Sequence, residues 1–376
     1  MKDKKKLSFF FIGLALFSMF FGAGNLIFPL FIGKVAKNLC PFSILGFLIT
    51  GVLLPFLGII GMVIFKGDYK KFFSTIGEKP GLLLSAALLS VWIPLGSAPR
   101  CITLAFASLN SYIPISSLTI FSLAYCALLF LVVYKKSRML DILGYVLTPV
   151  LLTCLSIVIF KGSFSGITFP TASEISSLQV FLQGIKEGYN TMDLIAAFFF
   201  SASIIGIIKA SSDNEKSALT KAVKASIIGV ATLGIVYIGL ITVAASHAGI
   251  LENVSKDQLM MEVAKNLLGA NLSIIAAIAI ILACFTTSVA LVVVYADFIQ
   301  NILPTKKGNA SLALMITICI TFLMSLLGLE GITAFTEPLL QIFYPMLLGL
   351  LLWNIGKHLI KKPSRTGETL DSQTSG

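Results

Sequence analysis

The chain has 376 residues, of which 57% are hydrophobic and only 12% are charged, and its formal net charge is +11. A soluble globular domain carries about 25% charged residues. This composition therefore excludes an ordinary soluble protein and predicts an integral membrane protein. A basic chain of this kind needs no nucleic-acid partner, because lysine and arginine also mark one side of a lipid bilayer.

Apolar runs follow one another along the whole chain, and each is close to the roughly 20 residues that a membrane-spanning helix needs. In chain order they cover residues 7–33, 41–65, 81–109, 115–134, 139–160, 188–208, 218–246, 268–296, 310–328 and 333–355. We therefore predict an all-α, polytopic membrane protein with ten transmembrane helices.

The basic residues alternate in number between the two sides of these runs. Of the 28 lysines and arginines, 21 fall at the N-terminus, in the even-numbered connections and at the C-terminus, six fall in the other connections, and Arg100 lies inside a run. This asymmetry predicts a multi-pass protein with both termini in the cytoplasm.

Catalytic and metal-binding patterns are not visible in the sequence. The six cysteines have no paired spacing, and His247 and His358 lie near helix ends, so we expect no disulfide framework, zinc site or bound cofactor. The spans offer no nucleophile–base set, so we predict a protein that is not an enzyme. A channel is a distant alternative, because repeated charged or carbonyl-rich filter segments are missing.

Ten helices divide into two sets of five, over residues 1–160 and 161–356, followed by a polar cytoplasmic tail at 357–376. The first helix of each set is interrupted, by GAGN at 22–25 and by GYNTMD at 188–193. Because five is odd, the second set enters from the opposite side of the membrane. Interruptions at matching positions predict an inverted-repeat secondary transporter whose site lies where the breaks meet.

A broken helix exposes carbonyl groups at the end of its first half and amide groups at the start of its second half. The carbonyl end attracts a cation, and the amide end attracts an anion such as a carboxylate. An amino acid that travels with a sodium ion offers both charges. The alternative for GAGN alone is close helix packing, which small residues also permit.

Five blocks carry a family resemblance: FFGAGNLIFP (20–29), GSAPRCITLAF (96–106), SRMLDILGYVLTP (137–149), EGYNTMDLIAAFFF (187–200) and ACFTTSVAL (283–291). In order and spacing they resemble the bacterial branched-chain amino-acid carriers (BrnQ-type or LIVCS carriers), a family similar in architecture to the LeuT-type transporters. The resemblance implies sodium-coupled uptake of leucine, isoleucine and valine across the bacterial inner membrane. A proton-coupled permease on the same scaffold, with Asp193 as the proton carrier, is the alternative.

The sequence departs from the family in two places. Family members usually carry two further C-terminal helices, and they tend to have Glu where this chain has Ala107. The first departure concerns packing and oligomer contacts, and the second concerns substrate range.

A sodium site is predicted on the eighth helix. Ala283, Thr286 and Thr287 share one helical face and offer two hydroxyls and a carbonyl, the hard oxygen ligands that an alkali ion prefers. Similarity to LeuT-type carriers implies that the backbone carbonyls of Ser18 and Phe21 complete the set. The alternative is that the threonine hydroxyls bond to carbonyls of their own helix.

The substrate's charged groups are assigned to the two breaks. The amides of Ala23, Gly24 and Asn25 are predicted to bind the carboxylate. Asn25, with Thr191, is predicted to hold either a second sodium ion or the substrate itself. Burying the Asp193 carboxylate at membrane depth costs free energy unless the charge is paired. We therefore expect Asp193 to bind the substrate ammonium or a coupling cation. The alternative is that it caps the second half of helix 6.

The side-chain pocket is predicted to be aromatic, with walls from Phe20, Phe21, Tyr189 and Phe198. Such walls suit leucine, isoleucine, valine or methionine, and a difference of one methylene, worth about 1–3 kcal/mol, does not rank them.

Three further charges lie in or near the spans. Arg100 is predicted to form a gate or a cavity ion pair rather than to contact substrate. Glu187 and Glu337 lie near helix ends and are expected at the membrane interface.

Overall fold

The computed structural model describes residues 9–134, 139–165, 169–172, 175–210, 214–302 and 310–360. The N-terminal lysines and the polar tail from residue 361 onward lie outside these ranges. All regular elements in the described residues are helices. They are α1 Phe9–Phe20, α2 Ala23–Ala36, α3 Cys40–Leu48, α4 Leu54–Ile64, α5 Tyr69–Phe73, α6 Glu78–Trp92, α7 Ala98–Asn110, α8 Leu118–Tyr134, α9 Met139–Phe164, α10 Ser177–Asn190, α11 Asp193–Ala210, α12 Glu215–Ser246, α13 Ala248–Leu251, α14 Leu259–Ile302, α15 Ala310–Ser325 and α16 Gly328–Ile360.

Six helical runs among the described residues are long and apolar enough to cross a membrane. They are Ala23–Ile64, Glu78–Asn110, Ser177–Gly206, Ser217–Ser246, Leu259–Gln300 and Gly328–Ile360. Four shorter apolar helices accompany them, Phe9–Phe20, Leu118–Tyr134, Pro149–Phe164 and Ala310–Ser325. The all-α membrane character is confirmed, whereas the count of ten spans and their five-plus-five division stay predictions.

The predicted interruption of helix 1 is present. α1 ends at Phe20, and Gly22 has extended backbone angles (φ −117°, ψ −165°) before α2 begins at Ala23. Pro29 lies inside α2 without ending it. The break therefore lies at the first glycine of GAGN, and the remainder of that block forms the first turn of α2.

The predicted interruption of helix 6 is also present, but its first half is longer than the apolar run indicated. α10 begins at Ser177, eleven residues before the predicted start at residue 188, and ends at Asn190. Ser176 caps it through a hydrogen bond from the Gln179 amide. The early turns were missed because α10 is amphipathic and carries polar residues on one side, which hides it from a search for apolar runs.

Between the halves, Met192 has a φ of +64°, a left-handed conformation that is uncommon for a residue with a side chain. It ends the α-helical geometry of α10 and lets α11 begin at Asp193. α14 has a comparable change of direction at Gly269 (φ +78°). The predicted eighth span therefore corresponds to the part of α14 that follows this glycine.

Small residues bring α3 and α10 close together. A Cβ atom added to Gly46 would lie 2.2 Å from the carbonyl oxygen of Phe181, and one added to Gly184 would lie 2.4 Å from that of Ser43. Larger residues at these two positions would separate the backbones. This packing fixes the first half of helix 6 against helix 2.

Two groups of helices surround the breaks. In the first, α2 packs on α12, α3 on α10, α1 on α12 and α11 on α4. In the second, α7 packs on α14, α14 on α15 and α15 on α8. We call them the break-bearing group and the outer group, and the candidate site lies where they face each other.

Candidate functional site

The two helix breaks lie against each other. A Cβ atom added to Gly24 would lie 3.4 Å from the Cα atom of Thr191, which is van der Waals distance. A side chain at position 24 would therefore press on the helix 6 break. The site that the sequence predicted from two separate interruptions is one place in the molecule.

A buried carboxylate occupies this meeting point. Asp193, the first residue of α11, is 1% exposed, and Asn25 and Tyr237 are equally buried. The Asn25 amide nitrogen donates to both Asp193 oxygens at 2.9 Å. The Tyr237 hydroxyl donates to Oδ2 at 2.6 Å and itself accepts a hydrogen bond from Asn25. We call these three residues the carboxylate trio.

The trio bears on the two predicted roles of Asp193. The Asp193 carboxylate is contacted by the side chains of Asn25 on α2 and Tyr237 on α12 rather than by backbone amides of α11. Neutral donors of this kind stabilise the ionised form of a carboxylate, and an ionised group at membrane depth requires a compensating cation. Cation binding and helix capping both stay predictions for Asp193, and the described bonds of its carboxylate are to the side chains of Asn25 and Tyr237.

Each break is closed by one polar side chain. Asn25 Oδ1 accepts the amide hydrogen of Gly22 at 3.0 Å. In helix 6, the Thr191 hydroxyl donates to the Gly188 carbonyl at 2.8 Å and accepts from the Asp193 amide at 3.3 Å. Both predicted residues are therefore engaged with the backbone of their own break.

A small cavity of about 20 Å³ lies between the breaks. Seven of the predicted site residues line it: Phe20, Ala23, Gly24, Asn25, Thr191, Asp193 and Thr287. A volume of this size holds about one water molecule, whereas pockets for small-molecule ligands are about 300–1,000 Å³. The cavity is therefore closed to a ligand of the size of an amino acid in this structure.

Three aromatic residues line part of the cavity, and of the predicted aromatic residues only Phe20 is among them. Trp92 and Phe200 line it with Phe20, and the Trp92 and Phe200 rings meet edge to face with centroids 4.9 Å apart. Phe198 instead packs on Phe72, with centroids 4.8 Å apart. The reason is geometric, since two residues along a helix turn it by about 200° and point the side chains to opposite faces.

Two other predicted aromatic residues also lie outside the wall. The Tyr189 ring packs on Tyr344, with centroids 4.4 Å apart. Phe21 is buried within the helix 1 break, where its ring stacks on Phe17 at 5.0 Å. These rings support the ends of the broken helices.

The predicted sodium ligands lie on both sides of the helix 1 break. Thr287 Cγ2 is 3.5 Å from the position of a Cβ atom on Gly22, so helix 8 touches the break directly. The Thr286 hydroxyl donates to the Ala283 carbonyl at 3.0 Å, which is the alternative contact for such a threonine. Ser18 lies in the last turn of α1. Their role as sodium ligands stays a prediction.

Arg100 is completely buried, yet it forms no ion pair with the acidic side chains that the structure describes. Its Nη1 donates to the Asn190 carbonyl at 2.6 Å, and its Nη2 donates to the Thr336 hydroxyl at 2.7 Å. The guanidinium carbon lies 5.0 Å from the Phe28 ring centroid. The expected cavity ion pair is thus replaced by contacts to a carbonyl, a hydroxyl and an aromatic face.

The expectation for Glu187 is wrong. Its side chain is buried rather than interfacial, and it accepts a hydrogen bond from the Asn190 side chain at 3.0 Å. The longer α10 explains the difference, since Glu187 lies in the last turn of that helix and not at the start of a span. Glu337 is partly exposed and pairs with Lys186 at 2.7 Å.

Sequence reasoning missed Tyr237, Trp92, Phe200 and Thr336. Tyr237 had a usable signal, because a hydroxyl-bearing ring in the middle of the apolar run 218–246 requires a partner. The others resemble ordinary apolar or helix-bonded residues, and only the packing of distant helices gives them their positions.

Comparisons with known proteins show the family to which the chain belongs. A family model described as "Branched-chain amino acid transport protein" matches residues 5–370. The branched-chain amino acid permease BrnQ of Bacillus subtilis is 31% identical over 352 residues, covering 90% of this chain and 79% of the relative. The permease BraB of the same organism is 29% identical over 364 residues, covering 93% and 80%.

Solved transporters share the fold. Inward-facing Mhp1 has a TM-score of 0.64 at 14% identity, covering 93% of this chain and 76% of its own. A Na⁺-coupled sialic acid symporter in a substrate-bound outward-open state scores 0.62 at 10% identity, covering 93% and 79%. MhsT in complex with L-phenylalanine scores 0.60 at 15% identity, covering 92% and 88%. These likenesses concern the fold, which is the LeuT type that the sequence resembled.

Proposed function

Because the chain belongs to the branched-chain amino acid transport protein family, we propose that it is a sodium-coupled symporter that imports branched-chain and large aliphatic amino acids by alternating access. In this proposal its substrates are leucine, isoleucine, valine and methionine. It has ten spans in two inverted sets of five and lies in a bacterial inner membrane with both termini in the cytoplasm. The basic residues of the even-numbered connections support this orientation.

The observation that carries the proposal is the meeting of the two breaks around a buried carboxylate. Among the described residues, the Asp193 carboxylate accepts hydrogen bonds from two neutral partners, Asn25 and Tyr237. A cation that binds there relieves the cost of an uncompensated charge in a low-dielectric site. The substrate ammonium suits this position, and the first-turn amides of α2 suit its carboxylate because they have no acceptor within their own helix.

The coupling ion binds at the carbonyl end of α1. The carbonyls of Ser18 and Phe21, together with Ala283, Thr286 and Thr287, supply oxygen ligands without a full negative charge. Sodium that binds here orders the end of α1. The amides at the start of α2 are then already in position when the amino acid binds. Coupling of this kind is reciprocal, so substrate raises the affinity for sodium by the same factor.

The wall of the cavity supports an aliphatic side chain as cargo. Phe20, Trp92 and Phe200 present aromatic surfaces, and no charged group other than Asp193 lines the cavity within the described residues. When the helix groups separate, the aromatic part of the wall receives the apolar side chain, while the polar residues Asn25, Thr191 and Asp193 face the charged groups of the amino acid.

The test is uptake of labelled leucine into proteoliposomes, with external sodium replaced by choline at constant pH. We expect uptake to require sodium and to be reduced by valine, isoleucine and methionine as competitors. Undiminished uptake in choline that is abolished by a protonophore would contradict sodium coupling and favour the proton-coupled permease. Uptake that never exceeds equilibrium under either gradient would favour a channel.

A further inference from the structure

Arg100 joins four helices at one buried point. It lies on α7, donates to Asn190 at the end of α10 and to Thr336 on α16, and stacks over Phe28 of α2. A buried guanidinium in a membrane-spanning protein is costly unless partners compensate its charge. The fold therefore has to supply hydrogen-bond acceptors around the Arg100 guanidinium.

The compensation comes mainly from the end of α10. The last carbonyls of a helix carry partial negative charge, and Asn190 is the last residue of α10. The same residue donates its side-chain amide to Glu187 at 3.0 Å. Asn190 thus connects a buried cation to a buried carboxylate, and the position of the helix 6 break depends on both.

Two of these contacts, from Arg100 to Asn190 and to Phe28, cross between the two helix groups. α10 belongs to the break-bearing group, whereas α7 packs on α14 in the outer group. The next residue along α7, Cys101, lines the cavity between the breaks. Separation of the groups, which an amino acid needs in order to enter, pulls Asn190 away from Arg100.

Thr336 has the geometry of a positioning residue for this arginine. Its hydroxyl donates to the Ile332 carbonyl at 2.8 Å, so its lone pairs remain for the Arg100 Nη2. Thr333 lies one turn earlier on α16, is similarly buried, and donates to the Leu329 carbonyl at 2.8 Å. Among the described residues its hydroxyl contacts its own helix and not Arg100, which makes it a matched control.

We propose that Asn190, Arg100 and Thr336 form a releasable latch that holds the two helix groups together over the cavity, with Thr336 as the residue that orients the arginine. The latch rests on the alternating access proposed above. It specifies the bonds that break when the site opens, and it assigns a function to Thr336, a side chain with no contact to the cavity.

The experiment measures opening directly and needs neither substrate nor sodium. In a background with Cys40, Cys126, Cys154, Cys284 and Cys319 replaced by alanine, Cys101 is the single thiol and is buried beside the cavity. The purified protein is treated with a small charged methanethiosulfonate reagent, and the labelling rate of Cys101 is followed by mass. The thermal midpoint of each variant is measured in parallel.

Loss of one hydrogen bond to a charged group shifts an equilibrium by about tenfold or more. We therefore expect Thr336→Val to label Cys101 at least about tenfold faster than the background, and Thr333→Val to label it at the background rate. Thr336→Ser keeps the hydroxyl and should label slowly. Arg100→Gln should label as fast as Thr336→Val, and it provides the test if the valine variant has a lowered thermal midpoint.

Equal labelling of Thr336→Val and Thr333→Val, or fast labelling of Thr336→Ser, would overturn the latch. Because labelling is independent of cargo, a failure here leaves sodium coupling untouched. A failure of the choline experiment likewise leaves the latch untouched.

Discussion

The breaks in helices 1 and 6 solve the same problem in different ways. Both interrupt a helix for one or two residues, and in both a nearby polar side chain satisfies the exposed backbone. In helix 1 the same residue, Asn25, closes the break with its oxygen and reaches across the site with its nitrogen. In helix 6 the tasks are divided, since Thr191 closes the break and Asp193 reaches across.

This difference indicates how the two sides respond to a ligand. Asn25 cannot turn toward a new partner without disturbing its own break. Asp193 can exchange Asn25 or Tyr237 for a cation while Thr191 keeps the end of α10 connected to the start of α11. In the proposed mechanism, the helix 1 side is therefore a fixed template and the helix 6 side carries the exchangeable charge. Four substitutions test the comparison, beginning with the largest expected effect.

Asp193→Asn removes the exchangeable charge and leaves the shape. Removal of one member of a buried charged set typically costs about 3–5 kcal/mol, so we expect sodium-driven leucine uptake to fall by more than about 100-fold. Asp257→Asn, in an exposed loop, is the control and should retain uptake. Retention of more than a tenth of the parental rate would mean that Asp193 carries no essential charge.

Tyr237→Phe removes one donor to that charge. A hydrogen bond to a charged group contributes about 1.5–3 kcal/mol, so the leucine concentration for half-maximal uptake should change by about tenfold. Tyr295→Phe is the matched control. It loses a partly buried hydrogen bond, 2.7 Å long, to the Ser90 hydroxyl, and neither residue lines the cavity. Equal effects of the two variants would reduce Tyr237 to a packing residue.

Thr287→Ala tests the fixed template on the helix 1 side. Loss of one neutral oxygen ligand, worth about 1 kcal/mol, should raise the sodium concentration for half-maximal uptake about fivefold. Folding should be little affected, because Thr287 is only half-buried. Thr232→Ala, also half-buried, bonds its own helix at 2.8 Å and serves as the control. An unchanged sodium requirement would remove helix 8 from the ion site.

Thr191→Val should have the smallest effect. It removes neutral hydrogen bonds that join the halves of helix 6, worth about 1 kcal/mol each. Because both bonds lie within helix 6 and persist whether or not ligand is bound, most of this loss cancels between the two states. We therefore expect uptake to fall only about threefold, with similar changes in the requirements for sodium and leucine. Thr242→Val, half-buried on α12 and bonded to the Ile238 carbonyl at 2.8 Å, should have none. A larger loss than that of Tyr237→Phe would place the exchangeable group at Thr191 instead of Asp193.

The sequence predicted the helix breaks because they arise from residues that are close together in the chain. Gly22 and Asp193 mark the breaks because glycine and a mid-span carboxylate both destabilise a continuous apolar helix. Seven predicted residues consequently line one cavity. The start of α10 was missed because its polar face lowers the hydropathy of the segment, although its capping residue Ser176 was visible.

The remaining features depend on contacts between distant helices. Phe198 and Phe200 are equivalent in composition, and only the rotation of α11 decides which one faces the cavity. Arg100 was noticed as a charge in a span, but its partners Asn190 and Thr336 are 90 and 236 residues away. No local pattern in a single sequence encodes such pairings.

The tightness of the central cavity has a consequence for the cell. A carrier driven by an ion gradient wastes that gradient whenever ions slip through without cargo. With room for about one water molecule, the cavity between the breaks cannot hold a column of water in this structure. If the chain is the symporter proposed above, the side chains of Phe20, Trp92 and Phe200 that line this cavity also limit the passage of ions without cargo.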